Sequence, residues 1–381
     1  MSSTVSEFEP VAAATSIRAR FCDAVFESLN ATQVRYCVPG GDRAYNFADS
    51  DLDLVIHPDN GPEIAALLKS AAQRADGHLV QAIQHETNAC YYVLARQESE
   101  EIGFLNPDFI TDYRRQGRLW LRADELLRSR KLVDGALYVP SPDGELLYYL
   151  IKKVLKQSIS EAQWKKLRDL YGAGRCGLRL EMQRFWQPVT AKAIEEAIQT
   201  DNFPWFRANL GPLLAELLRS PWQETATQRL WQRAQSAARY WRRLVQPTGL
   251  LVRVVGGTVS QRAKLAQSLT RKLAPAFRHT WVVPDRLGSA SSIATLRALV
   301  RSTLVLDFDH AVPLRPGTKG VEVLWRKDLS SAQNLTRAME LAIQNLSCRT
   351  CRRLGLSSED EKADPRRRRE SPQAHHSIEA L

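Results

Sequence analysis

The chain has 381 residues, a hydrophobic content of 44% and a formal net charge of +11 at pH 7. This length exceeds one ordinary domain, so we expect two or three domains with real cores. The absence of any run of about eighteen apolar residues excludes a transmembrane helix. The first residues lack the basic start and apolar core of a secretory signal, so we expect a cytoplasmic protein.

The first predicted elements lead to a glycine turn. We expect residues 1–15 to be disordered and an apolar stripe to form a helix from Ser16 to Leu29. The strand Val34–Val38 then runs into Gly40-Gly41. Glycine lets phosphates approach the backbone closely, so this turn is a candidate phosphate-binding site.

A second strand, Asp51–His57, begins with two acids in the order Asp51-Leu52-Asp53. Side chains alternate along a strand, so Asp51 and Asp53 lie on one face while the leucines point into a core. Two carboxylates on one face form a hard oxygen site suited to Mg²⁺ or Mn²⁺. Together with Gly40, Gly41 and Arg43 they predict a metal ion that holds a nucleoside triphosphate.

This arrangement of a strand, Gly-Gly, a polar loop and Asp-Leu-Asp-Leu resembles the signature of the nucleotidyltransferase superfamily, which has the polymerase-beta-like fold. The family usually has Gly-Ser where this chain has Gly40-Gly41. The resemblance implies that Asp51 and Asp53 hold the metal. It also implies a third carboxylate on a neighbouring strand, which helps to bind metal and to activate the acceptor hydroxyl.

The elements that follow supply this third acid. After a turn at 58–62 we expect a helix to Ala75, strands at His78–Gln84 and Ala89–Ala95, and an apolar stretch at Ile102–Leu105. Asp108 follows that stretch directly and is the preferred third carboxylate and metal ligand, with Asp112 as the alternative. Proline cannot donate to a sheet, so Pro107 predicts an edge strand.

Two helices are predicted next. One covers Ala123–Arg130, and the other is opened by Ser141 at the N-cap and Pro142 at its first position, and ends near Gln157. Lys152 and Lys156 are four residues apart and share a face of the second helix. We assign them to the triphosphate, with a solvated helix face as the alternative interpretation.

The order of these motifs is similar to nucleotidyltransferase-like proteins encoded beside bacterial polysaccharide-biosynthesis genes. The likeness covers roughly residues 16–160, and it rests on Asp-Leu-Asp-Leu, on Asp112-Tyr-Arg-Arg-x-Gly-Arg, and on the helix led by Val-Pro-Ser-Pro. It implies a nucleotidyltransferase-like domain over 16–158 with a mixed sheet.

Residues 159–247 read as a helical domain, because apolar residues recur with helical spacing between short breaks. Its tryptophans are predicted to pack between helices. The basic stretch Arg239–Arg243 is predicted to be a solvated face.

The C-terminal region, 249–355, alternates strands and helices. Strands are predicted at Leu250–Val255, His279–Pro284 and Thr303–Asp309, and helices at 258–273 and Ser292–Val300. This order predicts a parallel α/β sheet. A disordered tail is expected over 356–381.

The first strand of this region runs into Gly256-Gly257 and a helix, which is the context of a P-loop. Gln261, Arg262 and Ala263 replace the glycine, lysine and hydroxyl of the full motif. The segment resembles a thymidylate-kinase-like P-loop domain that has lost catalytic residues. Gly256, Gly257 and Arg262 remain candidate phosphate contacts.

The sequence thus predicts an α/β protein with a nucleotidyltransferase-like domain, a helical middle and a degenerate P-loop-like domain. The first functional hypothesis is a metal-dependent transfer of NMP from an NTP to a hydroxyl acceptor, with a link to polysaccharide metabolism implied by the resemblance alone. The second is a catalytically inactive nucleotide sensor or scaffold. The third is a polyanion-binding protein that uses its basic helices; a nucleic acid is the less favoured partner.

Overall fold

The computed structural model describes residues 17–41, 52–115, 118–174, 178–221, 224–246, 248–277, 279–282, 303–308 and 320–356. It is an α/β protein with a mixed sheet and a parallel sheet, as predicted. The predicted helix Ser292–Val300, residues 1–15 and all but the first residue of the predicted tail lie outside the described residues. No helix in the described ranges is long and apolar enough to cross a bilayer.

The helices are α1 (Ile17–Ala31), α2 (Ile64–Arg74), α3 (Ala123–Leu127), α4 (Pro142–Lys156), α5 (Glu161–Ala173), α6 (Leu178–Met182), α7 (Pro188–Gln199), α8 (Phe203–Ala208), α9 (Leu210–Arg219), α10 (Ala226–Val245), α11 (Val259–Leu273) and α12 (Ser331–Arg353). The strands are β1 (Tyr36–Cys37), β2 (Leu52–Ile56), β3 (His78–Glu86), β4 (Ala89–Glu98), β5 (Glu101–Leu105), β6 (Pro107–Ile110), β7 (Asp112–Arg115), β8 (Arg118–Arg122), β9 (Lys131–Val133), β10 (Leu137–Val139), β11 (Leu250–Val255), β12 (His279–Val282), β13 (Thr303–Phe308) and β14 (Gly320–Leu324).

The N-terminal sheet has the order β1-β2-β6-β4-β3, and β5 pairs with β4. Strands β2 and β6 are parallel, whereas β6 and β4 are antiparallel, so the sheet is mixed. Helices α1 and α2 pack on one face through residues such as Phe21, Leu54 and Leu68. The prediction of an edge strand at Pro107 is wrong, because β6 lies between β2 and β4; Pro107 is the first residue of β6, a position that tolerates the missing N–H.

The helical middle packs on α3 and α4 rather than forming an independent core. Leu150 and Val154 of α4 share a buried cluster with Trp164, Trp186 and Phe206. The predicted opening of α4 is confirmed: the Ser141 hydroxyl accepts a hydrogen bond from the Gly144 N–H at 3.3 Å, and Pro142 is the first helical residue. Two short hairpins, β7–β8 and β9–β10, were not predicted, because strands this short show little periodicity.

The C-terminal sheet has the order β12-β13-β11-β14, and its described strands are parallel. Helices α11 and α12 contribute to its core. Val80, Val93 and Ala95 of the N-terminal sheet belong to the same buried cluster as Val252 and Leu269. The two sheets therefore share one apolar core.

Side chains cover the outer edge of the N-terminal sheet, at β3. Four side chains donate hydrogen bonds to carbonyls of β3: Thr350 Oγ1 to Val80 (2.8 Å), Arg353 to Ala82 (2.6 Å), Arg243 to Gln84 (2.7 Å) and Arg239 to His85. Such cover prevents an edge strand from pairing with another chain. The prediction of a solvated face is therefore wrong for Arg239 and Arg243, whose guanidinium groups satisfy buried backbone.

Candidate functional site

Two of the predicted carboxylates lie side by side. Asp53 on β2 and Asp108 on β6 are register partners on parallel strands. Neighbouring strands are about 4.8 Å apart, and register partners project to the same face, so the two carboxylates are adjacent. Their side chains are 37% and 22% exposed, which leaves both open to a ligand. Asp51 lies outside the described residues.

The alternative acid, Asp112, has a different environment. Its Oδ1 accepts a hydrogen bond from the Ala123 N–H at 3.0 Å, at the start of α3, and its Oδ2 lies 3.6 Å from Arg114 Nη2. Burial raises the pKa of Asp112, and the Ala123 N–H and Arg114 partly offset this. Asp112 stabilises a helix start, so the geometry favours Asp108 as the third carboxylate.

Lys152 reaches this pair from α4. Its Nζ lies 2.7 Å from Asp53 Oδ2 and 3.3 Å from the Tyr148 hydroxyl. Burial alone would lower the pKa of Lys152, but Tyr148 and the Asp53 carboxylate outweigh it, so the pKa lies above its ordinary value. Lys152 is therefore a permanent cation beside the acids. It is partly buried there, not on a solvated helix face.

Lys156 adds positive charge one turn further along α4. Burial is the main cause of its lowered pKa, followed by the nearby charges of Lys152 and Arg115, while Asp53 acts in the opposite direction. The predicted pairing of Lys152 and Lys156 on one face thus places both in the field of Asp53. Lys156 is exposed, as the alternative of a solvated helix face predicts, and both lysines can neutralise phosphate charge at this site.

Sequence reasoning missed two further lysines. Lys153 Nζ lies 4.8 Å and Lys166 Nζ 5.1 Å from the centre of the Tyr149 ring, and Lys166 also pairs with Glu145 at 2.6 Å. Burial, together with the charges of its lysine neighbours, lowers the pKa of Lys153 to about 8. Lys166 belongs to α5, so the packing of α5 on α4 is what brings these cations together.

The first glycine turn lies beside this cluster. Gly40 has φ +77°, and a Cβ there would come within 2.9 Å of Lys166 Nζ. A Cβ on Gly41 would lie 2.6 Å from Val139 Cγ1 and 2.8 Å from Leu137 Cδ1. The Gly41 N–H donates to the Val38 carbonyl at 3.0 Å. Gly41 is therefore required by packing, and its N–H closes the turn. Arg43 lies outside the described residues.

His85 and Tyr91 border Asp108 on its other side. His85 Nε2 lies 3.6 Å from Asp108 Oδ2, and Tyr91 on β4 is the register partner of Asp108. Burial is the main reason that the pKa of His85 is lowered, so the imidazole is neutral at pH 7. No motif in the sequence marks His85, because only strand pairing places it here.

The second glycine turn is filled by the protein itself. Gly256 and Gly257 have φ +80° and +68°, and the Arg262 guanidinium donates to the Gly257 carbonyl at 3.0 Å. A Cβ on Gly257 would lie 2.9 Å from Trp325 Cγ. Thr258 and Gln261 form a capping box, in which the Gln261 N–H donates to the Thr258 hydroxyl and the Thr258 N–H donates to the Gln261 side chain. These two candidate phosphate donors of a P-loop are thus already engaged.

The donor set suits a divalent metal only in part. Two neighbouring carboxylates, both partly exposed, are ligands of the kind that Mg²⁺ or Mn²⁺ prefers. The described residues contain no group of three or more His, Cys, Asp or Glu side chains that could hold a metal, and the predicted third ligand, Asp51, lies outside them. Lys152 competes with a metal for Asp53 in the geometry described.

Comparison of the chain with protein-family models, with curated proteins and with solved structures gives no match.

Proposed function

We propose that the protein is a metal-dependent nucleotidyltransferase that moves NMP from an NTP to a hydroxyl acceptor. The observation that supports this most is the register match of Asp53 and Asp108, with Lys152 hydrogen-bonded to Asp53. Acids and cations converge on one face of the sheet, as a triphosphate and a hydroxyl nucleophile require.

Each residue has a separate task in this reaction. Lys152 and Lys156 neutralise the triphosphate, and Lys166, which also pairs with Glu145, places a cation beside Gly40. Asp108 accepts the proton of the acceptor hydroxyl at a carboxylate oxygen. The hydroxyl oxygen forms a bond to the α-phosphorus, the bond from that phosphorus to the β-phosphate oxygen breaks, and pyrophosphate leaves.

A divalent cation held by Asp53 and Asp108, and by Asp51, would supply charge stabilisation at the phosphates. Binding it requires Lys152 to move from Asp53 to the phosphates. The lysine has a long flexible stem, so this exchange needs only side-chain rotation.

Purified protein, Mg²⁺ and α-³²P-labelled NTPs, incubated with cell extract, test the proposal. We expect label to move to an acceptor with the wild type and with Asp169→Asn, an exposed carboxylate on α5 that pairs with Lys165. We expect no transfer with Asp53→Asn. Transfer by Asp53→Asn at the wild-type rate would contradict the site.

A nucleotide sensor or scaffold is the second candidate. Two observations favour it: Lys152 is hydrogen-bonded to Asp53, and the second glycine turn is closed by Arg262 and Trp325. Calorimetry separates the two functions. Nucleotide binding by wild type with no transfer to any acceptor would support the sensor and contradict the enzyme.

A further inference from the structure

A cavity lies apart from the carboxylate pair. It has a volume of about 600 Å³, which is in the range of small-molecule sites. Its walls come from the N-terminal sheet, from α10 and from the end of α12. We call it the arginine cavity, after the four arginines that line it: Arg239, Arg242, Arg243 and Arg353.

The arginine cavity opens on the opposite face of the sheet from Asp108. Cys90 and Phe109 line it, and they are register partners one residue away from the pair formed by Tyr91 and Asp108. Successive side chains in a strand point to opposite faces. A ligand in the arginine cavity is therefore separated from the carboxylates by the sheet itself.

The charged side chains that line this cavity are all positive. None of the described residues that line it is acidic. Within the described ranges, Arg239, Arg242 and Arg353 form no ion pair with a carboxylate. Burial is the main cause that lowers the pKa of Arg353 to about 10, so the group is still cationic at pH 7. Clustered guanidinium groups of this kind are well suited to bind phosphate oxygens.

Three of the four arginines, Arg239, Arg243 and Arg353, are held in place by carbonyls at the edge of the sheet. Arg353 donates to the Ala82 carbonyl at 2.6 Å and Arg243 to the Gln84 carbonyl at 2.7 Å. A guanidinium carries five N–H donors, and these bonds use only some of them. The positions are therefore fixed before any ligand binds, which reduces the entropy lost on binding.

The remaining walls are apolar or neutral. Ile56, Ile64, Tyr92 and Phe109 supply apolar and aromatic surface, and amide and hydroxyl groups come from Gln84, Asn88 and Thr111. Burial raises the pKa of the Cys90 thiol to about 11, so it adds no negative charge at pH 7. The cavity thus combines a cationic side with a surface for an uncharged organic group.

We propose that the arginine cavity binds an organic polyphosphate of nucleotide size, without a divalent cation and independently of Asp53. The phosphates lie against the guanidinium groups and the organic group lies against Tyr92 and Phe109.

Calorimetry with ATP as the probe, in EDTA, tests this directly. We expect wild type and Asp53→Asn to bind ATP equally. Arg242→Gln should weaken binding about tenfold, because one charged hydrogen bond is worth roughly that factor. Arg242 is exposed on α10. Arg233→Gln, also exposed on α10 but outside the cavity lining, is the matched control and should bind like wild type.

Two further measurements locate the ligand. Hydrogen exchange should show ATP-dependent protection of β3, β4 and α10. Inorganic pyrophosphate, which has no organic group, should compete with ATP but bind more weakly.

Absence of ATP binding in EDTA, equal binding by Arg242→Gln and wild type, or loss of binding in Asp53→Asn would each overturn the proposal. The last result would assign the nucleotide to the carboxylate site instead. If the protein binds ATP in EDTA but transfers no NMP, the arginine cavity is supported and only the proposed enzyme activity is contradicted.

Discussion

The protein contains two strand–Gly-Gly turns with different surroundings. Gly40 and Gly256 both have positive φ, and each follows the end of a strand. Beside Gly40 lie Lys166 Nζ from α5 and Glu145 Oε1 from α4. Beside Gly256, Arg262 bonds to the turn and Trp325 covers it. The glycines permit close approach of a ligand, but neighbouring elements decide whether space and charge remain for one.

The largest expected effect concerns the paired acids on β2 and β6. Asp108→Asn should reduce NMP transfer by about 100-fold or more, because general-base catalysis contributes about 10²–10⁴. Asp112→Asn, the same chemical change four residues later, should retain transfer, because Asp112 lies at a helix start and the amide oxygen can still accept from the Ala123 N–H. The measurement is initial transfer rate, with urea unfolding of each variant. Equal loss of transfer in both would contradict the assignment of Asp108.

The lysines give the second prediction. Lys152→Met should raise the KM for NTP about tenfold, because a charged contact to phosphate is lost. Steady-state kinetics across NTP concentrations measure this. Lys165→Met is the control, since Lys165 is exposed and pairs with Asp169 on the outside of α5. An unchanged KM in Lys152→Met would show that Lys152 serves only to neutralise Asp53.

The third prediction is that a substitution in the second glycine turn lowers the stability of the protein. Gly257→Ala should cost about 2 kcal/mol of unfolding free energy, because positive φ is unfavourable for alanine and its Cβ would meet Trp325. Gly135→Ala separates the two causes, since Gly135 has φ +67° but no atom within 4 Å of its added Cβ. Urea unfolding compares them. A cost for Gly257→Ala no greater than that for Gly135→Ala would mean that Trp325 does not close the turn.

The last prediction is a pH dependence. The pKa of Lys153 is about 8 in the folded protein and near its ordinary 10.5 when unfolded. Between these values the unfolded chain binds the extra proton, so stability should rise with pH from about 8 to 10.5. Lys153→Met should be more stable at pH 7 and should lack the Lys153 contribution to that rise. The urea midpoints of wild type and Lys153→Met at pH 7, 8, 9 and 10 measure this difference. Identical pH profiles for the two proteins would contradict the burial of a charged Lys153.

Prediction from the sequence succeeded where local patterns carry the information. The alternation around Asp53, the Ser141-Pro142 helix start and the strand–turn–helix at Gly256 all depend on neighbours in the chain. It failed where the partner is remote. Trp231 and Trp241 were expected to pack between helices but are 64% and 68% exposed, since helical spacing alone does not say which face is covered.

The candidate site also has features that local sequence patterns predict and features that depend on remote contacts. Short local patterns in the sequence alone predicted the acids at 51, 53 and 108, the lysines of α4 and both glycine turns as candidates. Only the tertiary structure paired Asp53 with Asp108 rather than Asp112, brought His85 to Asp108 and Lys166 to Gly40, and filled the second turn with Trp325. Strand register and helix packing join residues far apart in the chain, and those contacts depend on how the whole core is buried, which no local pattern encodes.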